Sequence, residues 1–422
     1  MSQFEKVSLF DMILCLSDAI DLVSPVVNGH HKRVAYIASS LALELGMSQE
    51  KEKDLILAGS LHDVGAFSLE ERLTALNFEV GAAAFKHAER GFMILRKFAP
   101  FTEVADFVRY HHLNWEEGAG QIYNGNSVPK ESHLIHLADR IDVLINNEEE
   151  ILGQRDRIKA TINQEAGAKF IPEFVEAFNN LASKESFWFD LDSSILSRIL
   201  TNRLQGVKLK LGLSNLYALA EMFSEIIDFR SQFTATHSRG VAASGRMLAE
   251  LMGLNKKKCQ KLEIAGYLHD LGKLATPVKI LNKPGKLSAE EYNKIKVHPF
   301  YTYRILERIE ELKEIASWAA YHHEKLDGSG YPFRLSAKEI PLEARIIAVA
   351  DVFTAITEDR PYRQGMEQEE ALAVLNDLVD ESILDKTIVA TLTDNYEEIN
   401  ITRKKIQLRE EEEYQAVNEE LS

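Results

Sequence analysis

Cysteine, proline and long apolar runs are scarce in this sequence. Its 422 residues include two cysteines, Cys15 and Cys259, which excludes a disulfide framework and predicts a reducing, cytoplasmic location. With ten prolines and almost no β-branched runs of period two, a β-rich fold is disfavoured. No apolar segment approaches the roughly eighteen residues that a membrane span needs. Acidic residues interrupt the first apolar stretch, so we expect a soluble protein without a signal peptide.

Positive charge is also in deficit. The 65 acidic residues outnumber the 49 lysines and arginines and give a formal net charge of −16. This balance argues against binding of nucleic-acid polymers, which need a basic face, and no membrane partner is expected. An acidic protein can still bind an anionic substrate where metal ions supply local positive charge. The chain length predicts more than one domain.

The sequence does contain helical periodicity, and the pattern is repeated. Apolar residues recur at a 3.6-residue period in segments that stop at glycine, such as 34–46 and 240–253, so we predict an all-α fold. Five blocks of the first half return in the same order in the second half, 207 to 212 residues later. The paired positions are His30 and His237, His62 and His269, His87 and His298, His111 and His322, and Asp139 and Asp351. Constant order with so little drift indicates a tandem duplication.

The duplication predicts the domain organisation. We expect a first domain with connecting helices over residues 1–205 and a second domain over 206–400. The chain then becomes strongly charged, and residues 401–422 are predicted to form a solvated helix or tail.

The second copy concentrates side chains that bind transition metals. Imidazoles are the commonest protein ligands for such ions. Adjacent His269 and Asp270 on a helix project about 100° apart, so the imidazole can serve one ion while the carboxylate bridges two. Mixed nitrogen and oxygen donors without thiolates favour two first-row ions over a structural zinc, and two ions can neutralise a phosphoryl transition state. The ligand candidates are His237, His269, Asp270, His298, His322, His323 and Asp351.

The motifs of the second copy resemble a known family. His269-Asp270 followed by Leu-Gly-Lys, the segment HHEKLDGSGYP at 322–332 and ADVFTAITEDRPYR at 350–363 are similar to the HD-GYP family of bacterial signalling phosphodiesterases, over about 219–390. The resemblance implies two tandem HD-domain helical bundles, the second of HD-GYP type. It also implies hydrolysis of cyclic di-GMP or cyclic GMP–AMP to the linear dinucleotide by a hydroxide that bridges two metal ions.

The resemblance also implies roles for individual residues. The seven candidates above would be the metal ligands, with Asp270 bridging and catalytic. Lys273 would stabilise the charge that develops on the scissile phosphate. Arg360 and Arg363 match positions that grip the substrate phosphates, and Tyr331 would form part of the pocket wall. The implied cofactors are two divalent transition-metal ions, iron or manganese before nickel, cobalt or zinc.

Three departures from the family pattern bear on these expectations. Phe233 stands where members with three metals carry a glutamate, so we expect two metals. Thr302 replaces the glycine of HPxxGxxIL, and Thr354 replaces the second aspartate of ADVFDA. Neither threonine removes a predicted ligand, but together they leave the choice between cyclic di-GMP and cyclic GMP–AMP open.

The first copy keeps the ligand pattern and loses the remaining motifs. Ala66 stands where the second copy has Lys273, and GAGQI replaces GSGYP. Three interpretations stay open for this copy: a metal-binding regulatory or dimerising domain, a vestigial domain, or a second active site. A second copy of the chain or another signalling protein is left open as its partner. The candidate second metal site comprises His30, His62, Asp63, His87, His111, His112 and Asp139.

Two other functions compete with the phosphodiesterase. Another HD-type nucleotide phosphohydrolase is disfavoured by the GYP block together with Arg360 and Arg363. A non-catalytic module that binds a nucleotide or a partner protein is disfavoured because Lys273 is retained along with all seven ligand candidates.

Overall fold

The computed structural model describes residues 6–22, 28–79, 82–204, 210–231, 236–283, 285–359 and 363–420. Over these residues the regular secondary structure is almost entirely helix, which confirms the all-α prediction. None of the described helices combines the length and the apolar character that crossing a membrane would require. The described strands have two residues each: β1 (Val7–Ser8), β2 (Ile122–Tyr123), β3 (Asn126–Ser127) and β4 (Lys210–Leu211).

The chain divides into two compact units, which comprise Ser8–Lys210 and Leu211–Glu420. In the first unit β2 pairs with β3 in an antiparallel hairpin. Its helices are α1 (Leu9–Asp21), α2 (His30–Glu44), α3 (Gln49–Leu61), α4 (Leu69–Ala75), α5 (Ala82–Leu95), α6 (Thr102–Arg109), α7 (Lys130–Val143), α8 (Arg155–Gln164), α9 (Pro172–Ala182), α10 (Glu185–Leu191) and α11 (Leu196–Arg203).

The helices of the second unit are α12 (Leu213–Asp228), α13 (His237–Leu251), α14 (Lys256–Leu268), α15 (Val278–Leu281), α16 (Ala289–Lys296), α17 (His298–Leu306), α18 (Lys313–Ala320), α19 (Leu342–Thr357), α20 (Gln368–Asp380), α21 (Lys386–Asp394) and α22 (Tyr396–Glu420). A short 3₁₀ helix at Tyr321–His323 follows α18. In this unit α13, α14, α17, α18 and α19 correspond to α2, α3, α5, α6 and α7 of the first unit.

The helix that precedes each His-Asp motif begins with a side-chain N-cap in both units. The side chain of Ser48 accepts a hydrogen bond from the backbone N–H of Lys51 at the start of α3. At the start of α14, Asn255 accepts from Lys258 in the same way. Such caps satisfy backbone donors that the helix itself leaves free. Because both helices begin 207 residues apart and have equal length, they end at equivalent histidines.

A close helix crossing holds each pair of ligand-bearing helices together. A Cβ added to Gly59 of α3 would lie 2.7 Å from the Cα of Ala35 in α2. In the second unit, a Cβ on Gly266 of α14 would lie 2.6 Å from the Cα of Ala242 in α13. Only glycine fits at these two positions, because the backbones of the two helices lie so close together. The close approach brings the first histidine of each copy next to the His-Asp motif.

We predict that Gly266→Ala destabilises the second unit by about 1 to 3 kcal/mol, because the new methyl group must displace backbone atoms. Hydrogen exchange of α13 and α14 in the metal-free chain measures the change locally. Gly212→Ala is the matched control, since no heavy atom of the residues that the structure describes lies within 4 Å of the added Cβ. Equal protection of α13 and α14 in both variants would contradict the close-crossing explanation.

Candidate metal centres

The second unit brings the predicted ligands together from five elements. His237 is the first residue of α13, and His269 directly follows α14, with their ring centroids 5.5 Å apart. His298 opens α17, and its Nε2 lies 3.3 Å from the Nε2 of His322. His322 and His323 lie in the 3₁₀ helix, and Asp351 lies in α19. All seven predicted residues therefore converge on one buried cluster.

Asp270 lies between the two halves of this cluster. Its Oδ2 is 3.2 Å from His269 Nε2, and its Oδ1 is 3.2 Å from His298 Nε2. The ammonium of Lys273 approaches Oδ2 to 2.5 Å. The turn that places Asp270 here needs Gly272, since a Cβ at that position would lie 2.0 Å from the carbonyl oxygen of His298. One carboxylate thus faces histidines from both halves of the cluster, as a bridging ligand must.

Backbone carbonyls fix the orientation of three of the histidines. The Nδ1 atoms of His269, His298 and His322 each lie 2.7 Å from the carbonyl oxygen three residues earlier in the chain. A carbonyl oxygen can only accept, so each Nδ1 carries the proton and donates it. The Nε2 lone pairs are then left facing the centre of the cluster, which is the arrangement found in metal-binding histidines.

This arrangement fits a bound cation. With their protons on Nδ1, His298 and His322 face each other and Asp270 with acceptor atoms alone, and Oδ1 of Asp270 has no hydrogen-bond donor among the described residues. Buried acceptors that face one another are unfavourable unless a donor or a cation lies between them. The ligand atoms of His298, His322 and His323 lie within 4.8 Å of one another, as do those of His237, His269 and Asp351. The donor set suits divalent transition metals.

Electrostatics keeps His322, His323 and Asp270 in the protonation states that metal binding requires. Burial lowers the pKa of His323 to about 3 and holds the pKa of His322 well below its usual value, so both rings are neutral. Burial would raise the pKa of Asp270, but His269 and Lys273 hold it well below its ordinary range.

His237 differs from the other histidines in its contacts. Its Nε2 lies 3.0 Å from Asp351 and its Nδ1 3.1 Å from Glu358. Burial alone would lower the pKa of His237, but these two carboxylates raise it to about 10. Glu358 was not among the sequence candidates. It follows Asp351 by seven residues, two helical turns along the same face, so a search for acidic residues at that spacing could have found it.

The first unit assembles an equivalent cluster. Its four ligand atoms from Asp63, His87, His111 and His112 all lie within 4.8 Å of one another. His30 Nε2 lies 3.2 Å from His62 Nε2 and 3.5 Å from Asp139. These are the seven predicted residues of the candidate second metal site, and all of them are buried.

Two arginines that the sequence analysis missed lie at this first cluster. Arg140, fully buried, donates to Asp139 over 2.5 Å and to the carbonyl of Ala75 over 2.7 Å. Arg72, also buried, donates through Nε to the carbonyl of Ala66 over 2.9 Å. The second copy carries a valine at the position of Arg140. The first copy therefore has cations near its cluster, but they arrive from other positions than Lys273.

The predicted substrate contacts are only partly described. The ring centroids of Tyr331 and His323 lie 4.9 Å apart. Lys296 Nζ lies 5.0 Å from the centre of the Tyr331 ring. Arg363 is exposed and donates to the carbonyl of Ala355 over 2.7 Å. Arg360 lies outside the described residues, as does Phe233, whose identity was the basis for expecting two metals.

The two threonine departures have different positions. Thr302 is fully buried, where it donates to the carbonyl of His269 over 3.0 Å and accepts from the N–H of Gly272 over 2.9 Å. It therefore braces the backbone on both sides of Asp270. Thr354 is buried, and its hydroxyl has no hydrogen-bond partner among the described residues.

Comparison with known proteins identifies the family. Models of the HD domain match residues 221–388 and 27–144. The chain is 32% identical over 398 residues to the 3'3'-cGAMP-specific phosphodiesterase 1 of Vibrio cholerae, with 92% of each chain covered. It is 41% identical over 151 residues to the cyclic di-GMP phosphodiesterase response regulator RpfG of Xanthomonas campestris, which covers 35% of this chain and 40% of that one.

A solved structure supports the same conclusion. The cyclic GMP–AMP phosphodiesterase V-cGAP3 of V. cholerae matches with a TM-score of 0.64 at 25% identity, over 93% of this chain and 98% of that one. The chain belongs to the HD-GYP family, with two tandem HD domains, as its motifs predicted.

We predict that Thr302→Val loosens the His-Asp turn by about 1 to 3 kcal/mol, because it leaves a buried backbone donor and acceptor without partners. Hydrogen exchange of residues 269–275 in the metal-free chain measures this change. Thr302→Ser keeps the hydroxyl and should remain close to the original protection. If Thr302→Val keeps its protection and Thr302→Ser loses it, packing of the methyl group and not the two hydrogen bonds holds the turn.

Proposed function

We propose that the chain is a metal-dependent phosphodiesterase that hydrolyses a cyclic dinucleotide to the linear dinucleotide at the cluster of the second unit. The observation that carries this proposal is the contact of Lys273 with Asp270 at the centre of seven converging ligand candidates. A cluster that served only to hold metal would not need an ammonium group beside its central carboxylate.

The proposed ligands are the seven residues predicted from the sequence, with Asp270 shared by two ions. Their mixed nitrogen and oxygen donors suit iron or manganese, with nickel, cobalt or zinc as alternatives. The phenylalanine at 233, in place of an acidic ligand, supports two ions over three. When bound, the ions supply positive charge that neutralises a phosphoryl transition state and lowers the pKa of water.

Lys273 provides the second source of positive charge. Burial would lower the pKa of this lysine, but Asp270 raises it above the ordinary value, so Nζ stays protonated. Its side chain is 20% exposed, so its ammonium group lies at the accessible edge of the cluster. A protonated amine held at this position can donate to a phosphate oxygen as negative charge develops there.

The substrate contacts that we propose lie around this edge. Tyr331 stands against His323 and offers an aromatic wall for a base or ribose. Arg360 and Arg363 are the proposed partners of the substrate phosphates, for which a guanidinium fork is well suited. Among cyclic dinucleotides, cyclic GMP–AMP is the preferred candidate, because the V. cholerae relative that matches over both copies is specific for it.

The first unit is proposed to bind metal without catalysing the reaction. It lacks a lysine at position 66 and the GSGYP segment. Arg140 also holds one oxygen of Asp139, which reduces the freedom of that carboxylate to act as a ligand. Regulation or dimerisation is the role that remains for such a unit.

We place the reaction in the cytoplasm. Both cysteines are buried free thiols, the state that a reducing compartment maintains. The charge of −16 also keeps nucleic-acid polymers from competing for the site.

Substitution of the central residues tests the assignment of the active site. We predict that His269→Ala and Asp270→Ala each lower turnover by more than roughly 100-fold, beyond the effect typical of residues outside the ligand set. Metal analysis should show loss from the second unit. His62→Ala, the equivalent change in the first unit, should keep substantial activity. Full activity of His269→Ala, or complete loss in a folded His62→Ala chain, would contradict the assignment.

Product analysis tests the substrate. Manganese-loaded protein is incubated with cyclic GMP–AMP and with cyclic di-GMP in parallel, and the products are separated by chromatography. We expect a linear dinucleotide from both, formed faster from cyclic GMP–AMP. Turnover of neither, with metal bound in the second unit, would favour a non-catalytic nucleotide-binding module. Hydrolysis of a nucleoside triphosphate instead would indicate another HD-type phosphohydrolase.

A further inference from the structure

His237 is held differently from the other proposed ligands. Three of the histidines in the second unit donate Nδ1–H to a backbone carbonyl of their own helical turn. The Nδ1 of His237 instead faces Oε2 of Glu358 at 3.1 Å. The proton position and the orientation of this ring therefore depend on a side chain, so whatever fixes Glu358 also fixes His237.

Gln407 of helix α22 contacts both sides of this pair. Its Nε2 donates to Oε2 of Glu358 over 3.3 Å. The same nitrogen donates to the carbonyl of Thr236 over 3.2 Å, and Thr236 directly precedes His237. Glu358 and Gln407 are both buried. One amide group thus links the carboxylate behind the ring to the backbone that carries the ring.

Arg403 holds the Gln407 amide in place from one turn earlier in α22. Its Nη1 donates to Oε1 of Gln407, and its Nη2 donates to the carbonyl of Thr357 over 3.1 Å. One turn after Gln407, Oε2 of Glu410 forms an ion pair with Arg239, whose Nε lies 2.5 Å away. Three successive turns of α22 are therefore tied to the two elements that carry His237 and Glu358.

The helix α13 leaves space for this contact at Gly240. A Cβ at this position would lie 2.8 Å from Nε2 of Gln407 and 2.8 Å from Cγ2 of Thr354. Any larger residue would push the amide away from Glu358. Gly240, three residues after the ligand candidate His237, therefore leaves the space that Gln407 of α22 occupies.

The first unit contains the same kind of support, built from other residues. His30 Nδ1 lies 2.7 Å from Asp142, which also accepts from Nε of Arg33 over 2.5 Å. These residues lie in α2 and α7, within the first unit. A carboxylate behind the first histidine is thus present in both copies, but its own partner comes from α22 in the second copy alone.

We propose that Gln407, supported by Arg403, is a positioning residue of the metal centre in the second unit. It acts through Glu358 to present Nε2 of His237 to a metal ion. The inference rests on the proposed function, because it requires a metal centre at these ligands. It extends the site beyond residues 221–388, the span that the HD-domain model matches. Helix α22 is then a part of the catalytic domain and not a solvated tail.

Manganese binding to the full chain tests this proposal. All variants carry His62→Ala, so that any manganese bound by the remaining ligands of the first unit is the same in every chain, and free Mn²⁺ is followed by electron paramagnetic resonance. We expect two ions bound by the second unit of the parent chain. Gln407→Met keeps the size of the side chain and removes the amide. It should raise the dissociation constant of one of the two Mn²⁺ ions by roughly tenfold.

Two further substitutions give a graded response. Glu358→Gln keeps an acceptor for the Nδ1–H of His237 but removes the negative charge, whereas Glu358→Leu removes both. Metal affinity should therefore fall in Glu358→Gln and fall further in Glu358→Leu. Gly240→Ala should lower the affinity for the same Mn²⁺ ion several-fold, because the added methyl group displaces the amide of Gln407. Leu408→Ala is the matched control, since Leu408 lies on α22 but is 60% exposed.

The outcomes separate positioning from a merely structural role. If the Gln407→Met and Gly240→Ala chains bind both ions as tightly as the Leu408→Ala chain, the proposal is wrong, even where the melting temperature of the metal-free protein falls. If Glu358→Leu fails to fold, the other variants decide. Failure of the parent His62→Ala chain to bind manganese would contradict the proposed function itself, and this inference with it.

Discussion

The structure depends on a convergence of acceptor atoms whose one donor, among the residues that the structure describes, is the ammonium group of Lys273. In the second unit, Nε2 of His298 and of His322 and the carboxylate of Asp270 point at one another from three different elements. Such an arrangement is costly in a buried site unless positive charge offsets it. Lys273 supplies one charge from the edge. The remaining acceptors account for the requirement for metal ions, and the glycines that allow the close approaches follow from the same constraint.

Comparison of the two copies separates the features that both retain from those that the second copy alone carries. Both copies keep the close helix crossings at Gly59 and Gly266 and the seven ligand candidates. The lysine beside the central carboxylate is present in the second copy alone. Arg140 of the first copy instead binds a ligand candidate directly. Under the proposed function, the ligand set belongs to the architecture that both copies share, and we expect reactivity to depend on a few residues around it.

Much of the site was predictable because its information is local. Short motifs such as His269-Asp270 place their side chains by helix geometry, and the repeat identified equivalent positions in the other copy. Arg140 was also within reach, since it adjoins the predicted ligand Asp139. The contact of Gln407 with Glu358 was not, because it joins positions far apart in the sequence and no local pattern marks Gln407, although the spacing from Asp351 could have pointed to Glu358 alone. The role of Thr302 likewise depends on which backbone groups surround it after folding.

Anomalous diffraction from crystals of the manganese-loaded protein would test the central claim most directly. The account predicts two manganese peaks a few ångströms apart in the second unit, one on each side of the Asp270 carboxylate, with Nε2 atoms of the histidines pointing at them. A single peak, or peaks that do not share Asp270, would contradict the account of a carboxylate placed to bridge two ions.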